Sequence, residues 1–150
     1  MSIDYEAIPK REEDYREVLA EALYEDHTQN LIAIDRDKIA ARIEGEISGM
    51  TRFEPNFEQL AELEEISVEE ARRKYRWIEL SWDEARVQVT VHDHSVGVSL
   101  SGGSRPSLRT LAKVFRILED EGLYIWDEMS GEFLEARSIQ IPPEPDPEHH

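Results

Sequence analysis

The sequence predicts an α+β protein in which N-terminal helices pack on an antiparallel β-meander, followed by one amphipathic helix and a C-terminal β-hairpin. Apolar residues recur at helical spacing in the first half, and valines alternate with polar residues over 87–100. A second helical stripe, stopped by glycine, then precedes a glycine-containing turn. The 150 residues, 39% of them hydrophobic, suffice for one core. We expect a single domain over 1–141 and a disordered, acidic, proline-rich tail over 142–150.

The N-terminal half is predicted to be helical after an irregular start at residues 2–9. A first amphipathic helix is expected over about 12–24, where an apolar stripe runs between glutamates. Asp35 is a suitable N-cap for a second helix, which we expect to end near Gly49. The isoleucines of that second helix repeat every four residues, at Ile39, Ile43 and Ile47.

Two further helical segments are expected before the strands. Pro55 opens one, because proline is favoured in the first turn of a helix. Ser67 and Glu70 have the spacing of a capping box, in which each side chain accepts from the other residue's backbone N–H. The chain therefore reaches its first predicted strand through helices alone.

Three strands are predicted over 77–82, 87–91 and 96–101, with a turn at 92–95. In the last two strands the valines fall on one side, which is typical of an antiparallel sheet with one buried face. The other side of the last strand carries only small residues, Gly97, Ser99 and Ser101. That side is expected either to face water or to be packed closely by another element.

The clearest helix is predicted from Ser107, and Gly122 is its expected C-terminal stop. Segments 123–126 and 132–136 then flank Met129-Ser130-Gly131, a turn sequence in which glycine can adopt positive φ. A β-hairpin is therefore expected after this helix. The apolar stripe of the helix consists of Leu108, Leu111, Ala112, Phe115 and Leu118.

The formal charge of −17 narrows the classes of partner. A field of this sign repels nucleic-acid phosphates and anionic lipids, and it attracts basic proteins or metal cations. The chain has no cysteine and no apolar run of membrane-spanning length. We therefore expect a cytoplasmic location, no nucleic-acid partner, no membrane association and no cofactor.

The segment His92-Asp93-His94 is a candidate metal site. Side chains two residues apart on a strand project to the same side, so two imidazoles and a nearby carboxylate can share a cation. A structural metal usually requires three or four ligands, and no further ligand is fixed by the sequence. The simpler interpretation is a polar hairpin turn in which Asp93 accepts local backbone hydrogen bonds.

The loop before the clearest helix is a candidate anion site. Gly102, Gly103 and Ser104 deliver the chain to a helix N-terminus, and Arg105 and Arg109 can add charge-assisted hydrogen bonds. The spacing matches neither a P-loop nor a dinucleotide fingerprint. The simpler interpretation is a strand-to-helix connection with Ser107 as the N-cap.

Residues 106–134 resemble the recognition helix and wing of winged-helix DNA-binding domains. The resemblance is carried by Leu108, Leu111, Phe115, Leu118, Glu119, Glu121, Gly122 and Leu123, followed by a turn at Ser130-Gly131. It implies a transcriptional regulator whose helix lies in the major groove. In this chain, however, strands are predicted where that family has a preceding helix and turn.

No complete catalytic motif is present, and no serine lies in a Gly-x-Ser-x-Gly elbow. The function we expect is that of an acidic interaction module, of inhibitor or immunity-protein type, which binds a basic partner. A small metal- or anion-binding protein or hydrolase, using residues 92–94 or the loop at Gly102, is the first alternative. The winged-helix regulator is the second.

Overall fold

The computed structural model describes residues 2–9, 33–141 and 143, and it confirms the α+β class. Seven strands form one sheet: β1 (Ile3–Ile8), β2 (Thr51–Phe53), β3 (Ile78–Trp82), β4 (Val87–Val91), β5 (Val96–Leu100), β6 (Tyr124–Asp127) and β7 (Glu132–Leu134). The helices of the described residues are α1 (Arg36–Glu46), α2 (Phe57–Glu64), α3 (Val68–Lys74) and α4 (Arg105–Asp120). A short 3-10 turn follows at Ala136–Ser138. The helix predicted over 12–24 and most of the predicted tail lie outside the described residues.

The sheet is antiparallel throughout, in the order β2-β3-β4-β5-β1-β6-β7. The predicted meander forms its β3-β4-β5 part, and the predicted hairpin forms β6 and β7. The expectation of an irregular start at 2–9 is wrong, because β1 pairs with β5 on one side and with β6 on the other. The hairpin is therefore joined to the meander through β1. The short edge strand β2 was not predicted either.

One face of this sheet is covered by α1 and α4, and the hydrophobic core lies between them. Helix α4 buries Phe115 completely, and its ring meets that of Tyr5 on β1 edge-to-face, with centroids 5.1 Å apart. Aromatic pairs prefer this geometry because the positive ring edge faces the negative ring face. The inward residues of the three meander strands are Ile78, Leu80, Trp82, Val87, Val89, Val91, Val96, Val98 and Leu100.

Arg42 connects the two covering helices. From α1 it contacts Asp120 at 2.8 Å and Glu121 at 3.1 Å, at the C-terminal end of α4. Carboxylates are unfavourable at a helix C-terminus because the helix dipole is negative there. The guanidinium compensates for that charge, and the hydrogen bonds that it donates to Asp120, Glu46 and Glu121 raise the pKa of Arg42 above its ordinary value.

Side-chain caps set the starts of the helices. Asp35 accepts from the backbone N–H of Lys38, and Ser67 accepts from that of Glu70, as the sequence predicts. The start of α4 differs from the prediction, because Ser104 is its N-cap and Ser107 is a buried residue inside the helix. The hydroxyl of Ser107 is instead hydrogen-bonded to the hydroxyl of Ser104, with 2.7 Å between the two oxygens.

Helix α2 ends in a left-handed residue that is not glycine. Glu65 has φ 57° and ψ 41°, and the backbone N–H of Ile66 reaches back to the carbonyl of Ala61. A residue with a Cβ pays about 1 kcal/mol to adopt this conformation. Glu65→Gly is therefore expected to raise the free energy of unfolding by roughly 0.5–1 kcal/mol, measured by chemical denaturation.

The matched control for this change is Glu62→Gly, one turn earlier in the same helix. Glycine there should lower the free energy of unfolding by about 1 kcal/mol, because it only adds backbone freedom to the unfolded chain. The two glycine variants thus have opposite expected signs. A loss of stability in both would show that the left-handed conformation at Glu65 is not strained.

Candidate functional site

The three residues predicted to bind a metal lie in the β4–β5 turn, but their side chains have different surroundings. Asp93 pairs with Arg76 at 3.0 Å, and its carbonyl accepts from the backbone N–H of Ile34. His92 lines a cavity on the sheet, whereas Nδ1 of His94 is buried without a hydrogen-bond partner in the described chain. Within residues 2–9, 33–141 and 143, no group of three or more histidine, cysteine or acidic side chains is arranged to hold a metal ion.

The predicted anion loop is a strand-to-helix connection. Neither Gly102 nor Gly103 has positive φ, so the loop lacks the alternating backbone conformation of an anion-binding nest. Ser104 uses its hydroxyl oxygen as the N-cap of α4. Arg105 and Arg109 lie close enough for repulsion between them to add to burial in lowering the pKa of Arg105. Arg105 and Arg109 thus lie near each other in the first turns of α4, whose start is capped by Ser104.

The helix-and-hairpin unit differs in its surroundings from a winged-helix domain. The apolar stripe of α4 is buried on the sheet. Its hairpin continues the same sheet, because β6 pairs with β1 over Tyr5–Ile8. In a winged-helix domain this hairpin would project as a wing, whereas here it forms one edge of the central sheet.

The second face of the sheet, opposite α1 and α4, carries a polar cavity that we call the sheet cavity. The strand registers align one residue from every strand across this face, in the row Phe53, Glu79, Thr90, Gly97, Glu6, Trp126 and Phe133. Gly97 lies at the middle of the row, and the Glu6 carboxylate lies over it. The cavity beside them has a volume of about 270 Å³ and includes Asp4, His92 and Glu128 in its lining.

Glu6 is the most strongly perturbed carboxyl group of the described chain. Burial, together with the nearby charges of Glu128 and Asp4, raises its pKa to about 7, although a hydrogen bond with the Ser95 side chain acts in the opposite direction. Burial likewise raises the pKa of Glu128 and lowers that of His92. The Glu6 carboxyl therefore exchanges its proton near neutral pH. Sequence reasoning missed it because its strand was not recognised.

A second surface is formed by α2 and α3, which pack mainly against each other and which we call the helical pair. Their buried residues are small, Ala61 and Ala71, so neither helix contributes a large side chain to the main core. Most of the pair's glutamates are exposed and, within the described residues, have no cationic partner. These glutamates are Glu58, Glu62, Glu65, Glu69 and Glu70.

The helical pair also exposes apolar side chains. Leu63 is 73% exposed and Val68 is 37% exposed, and Phe53 on the adjoining strand β2 is 53% exposed. Single exposed apolar residues are ordinary, whereas a group of them can mark an interaction surface. The sequence predicts α2 and α3 as helices, but not which of their faces stay uncovered.

Comparison of the chain with protein-family models, curated protein sequences and solved structures yielded no match. Among the helices of residues 33–141, none has the length and apolar character needed to cross a bilayer.

Proposed function

We propose that this protein is a non-enzymatic interaction module, of inhibitor or immunity-protein type, whose helical pair binds a basic surface on a partner protein. The observation that carries the proposal is the set of exposed glutamates that have no cationic partner among the described residues, beside exposed Leu63 and Val68. The cytoplasmic location expected from the sequence is part of the same proposal.

Charge and apolar area support different parts of such an interface. Exposed carboxylates of this kind are available to a partner's lysines and arginines, and they steer its approach. An exposed leucine supplies the apolar contact that gives binding energy once the surfaces meet. Because α2 and α3 contribute little to the main core, their outer faces can change without loss of the fold.

The test begins with capture of partners from the native cytoplasm at low salt and continues with titration of the purified partner. We expect the partner to have a basic surface and its dissociation constant to rise steeply with salt. The triple variant Glu58→Lys, Glu62→Lys, Glu69→Lys should weaken binding at least about tenfold, which corresponds to about 1.4 kcal/mol.

A matched triple variant separates the helical pair from the overall charge. Asp83→Lys, Glu84→Lys, Glu132→Lys changes the net charge by the same amount, at exposed positions outside α2 and α3. This control should change the dissociation constant much less than the helical-pair variant. Equal weakening by both triples, a partner that binds independently of salt, or failure to capture any basic protein would refute the proposal.

A further inference from the structure

A cavity of about 310 Å³, which we call the arginine cavity, lies between the start of α1, the helical pair and the start of β3. Its volume is at the lower end of the range of small-molecule sites, which is about 300–1,000 Å³. The cationic part of its lining is Arg36, Arg72 and Arg76, and its aromatic part includes Phe57 and Trp77. Such a concentration of arginine is unexpected in a chain with a formal charge of −17.

Arg36 is held in place by the chain itself, whereas the terminal nitrogens of Arg76 have no partner among the described residues. Arg36 has only 21% of its side chain exposed, and its Nε is buried with no hydrogen-bond partner in the described chain. One of its terminal nitrogens donates to the backbone carbonyl of Arg76 and the other to the carboxylate of Asp37, at 3.3 Å, and these two bonds fix the guanidinium at the cavity. Arg76 in turn directs its Nε to Asp93. Guanidinium groups bind phosphate and carboxylate groups well because they can offer two parallel N–H donors.

Arg72 completes the group from α3. Its guanidinium carbon lies 5.7 Å from the centre of the Phe57 ring, within the range of a cation–π contact. Within the described residues, Arg72 has no carboxylate partner. Glu54, the acidic residue of the lining, is already paired with Arg52 at 2.7 Å. The charge of Arg72 is therefore not neutralised within this cavity.

Phe57 and Trp77, which we call the aromatic wall, can contact a planar group. Trp77 is half-buried, and its ring is positioned by an edge contact with Tyr75, with centroids 5.2 Å apart. Aromatic side chains of this kind stack on flat rings, as they do on bases in nucleic-acid complexes. The carboxylates nearest to this cavity are already paired, Asp37 with Arg36, Asp93 with Arg76 and Glu54 with Arg52. Carboxylates more than about 8 Å away are screened at physiological ionic strength.

From this geometry we infer that the arginine cavity binds a small planar aromatic compound that carries a phosphate or carboxylate group. Arg72 and Arg76 hold the anionic group, and the aromatic wall contacts the ring. The inference is independent of the proposed protein partner, because the cavity is formed by this chain alone.

The experiment follows the indole N–H resonances of the full chain by NMR during titration with adenosine 5′-monophosphate and, separately, 4-hydroxybenzoate. The variant Trp77→Phe assigns the resonance of Trp77. We expect at least one probe to shift that resonance saturably, with a dissociation constant below about 1 mM. If adenosine 5′-monophosphate binds, inorganic phosphate alone and adenosine alone should each bind at least about tenfold more weakly. Each of these two compounds carries only one of the recognised groups, the anionic group or the ring. If 4-hydroxybenzoate binds, phenol takes the place of adenosine.

Arg72→Ala should weaken the binding at least about tenfold, whereas Arg73→Ala, at the next position and outside this cavity, should leave it within about twofold. If Arg72→Ala fails to fold, Arg76→Gln is the second variant, since it keeps the backbone carbonyl that Arg36 contacts. The inference is overturned if neither probe shifts Trp77, if the uncharged ring compound binds as tightly as the charged one, or if the Arg72 and Arg73 variants lose affinity equally.

Discussion

Ala7→Pro is expected to lower the free energy of unfolding by at least about 3 kcal/mol, since proline in a central strand removes a ladder hydrogen bond and introduces a ring. Ala7 has no exposed surface, and it lies opposite Val96 on one side and Ile125 on the other. The lost N–H leaves a buried carbonyl unsatisfied, and the added ring overpacks the core.

Urea denaturation followed by tryptophan fluorescence measures this effect, and Ser2→Pro is the matched control. Ser2 is exposed and precedes β1, so proline there should change the free energy of unfolding by less than about 0.5 kcal/mol. If Ala7→Pro were as mild as the control, residues 3–8 would not form a paired central strand.

The second large effect concerns the proton on Glu6. In the unfolded chain this carboxyl titrates near 4.5, and in the folded protein near 7. Between these two pH values the folded state binds more protons, so the free energy of unfolding falls as the pH rises. The stabilisation present below pH 4.5 is lost above pH 7, and its upper limit is about 3 kcal/mol.

Glu6→Gln removes this dependence because an amide does not ionise. We expect the variant to gain about 2–3 kcal/mol over the parent at pH 8 and to match it near pH 4.5. Asp4→Asn should give a smaller gain in the same direction, because Asp4 contributes to the raised pKa of Glu6. The measurement is urea denaturation over that pH range.

The control for the Glu6 variant is Glu79→Gln, which alters a carboxyl in the same transverse row of the sheet. Its stability should follow the pH dependence of the parent. Parallel curves for the parent and the Glu6 variant would mean that Glu6 has an ordinary pKa in the folded protein.

The elements that the sequence predicts best have their determinants close together in the chain. The alternating valines of β4 and β5 identify the meander, and the caps at Asp35 and Ser67 lie three residues from the amides they bind. Gly131, at φ 70°, supports the predicted hairpin for the same local reason. Such features need no distant partner to be recognised.

Strand β1 was missed although its residues alternate. Ile3, Tyr5 and Ala7 face the core, while Asp4 and Glu6 face the other side. The strand is stabilised by pairing with residues about 90 or more positions later in the chain. No turn sequence next to the strand indicates that pairing. The raised pKa of Glu6 has the same origin, because its neighbours Ser95 and Glu128 belong to distant segments.

The candidate sites were hardest to predict because their residues meet only in the folded chain. His92, Asp93 and His94 are adjacent in sequence, yet each turns to a different surrounding. Arg36 and Arg76, in contrast, are 40 positions apart and touch at the arginine cavity. Proximity in the sequence was thus a poor guide to which side chains share a site.

The position of β1 between β5 and β6 also sets an order of events during synthesis. At a ribosomal rate of about 5–20 residues per second, Ile3 of β1 is synthesised roughly 5–20 s before its partner Leu100. Throughout that interval β1 has neither of its two neighbours, because β6 is made later still. The chain therefore carries an unpaired strand during its own translation, and a chaperone that covers β1 would protect it from pairing with a second nascent chain.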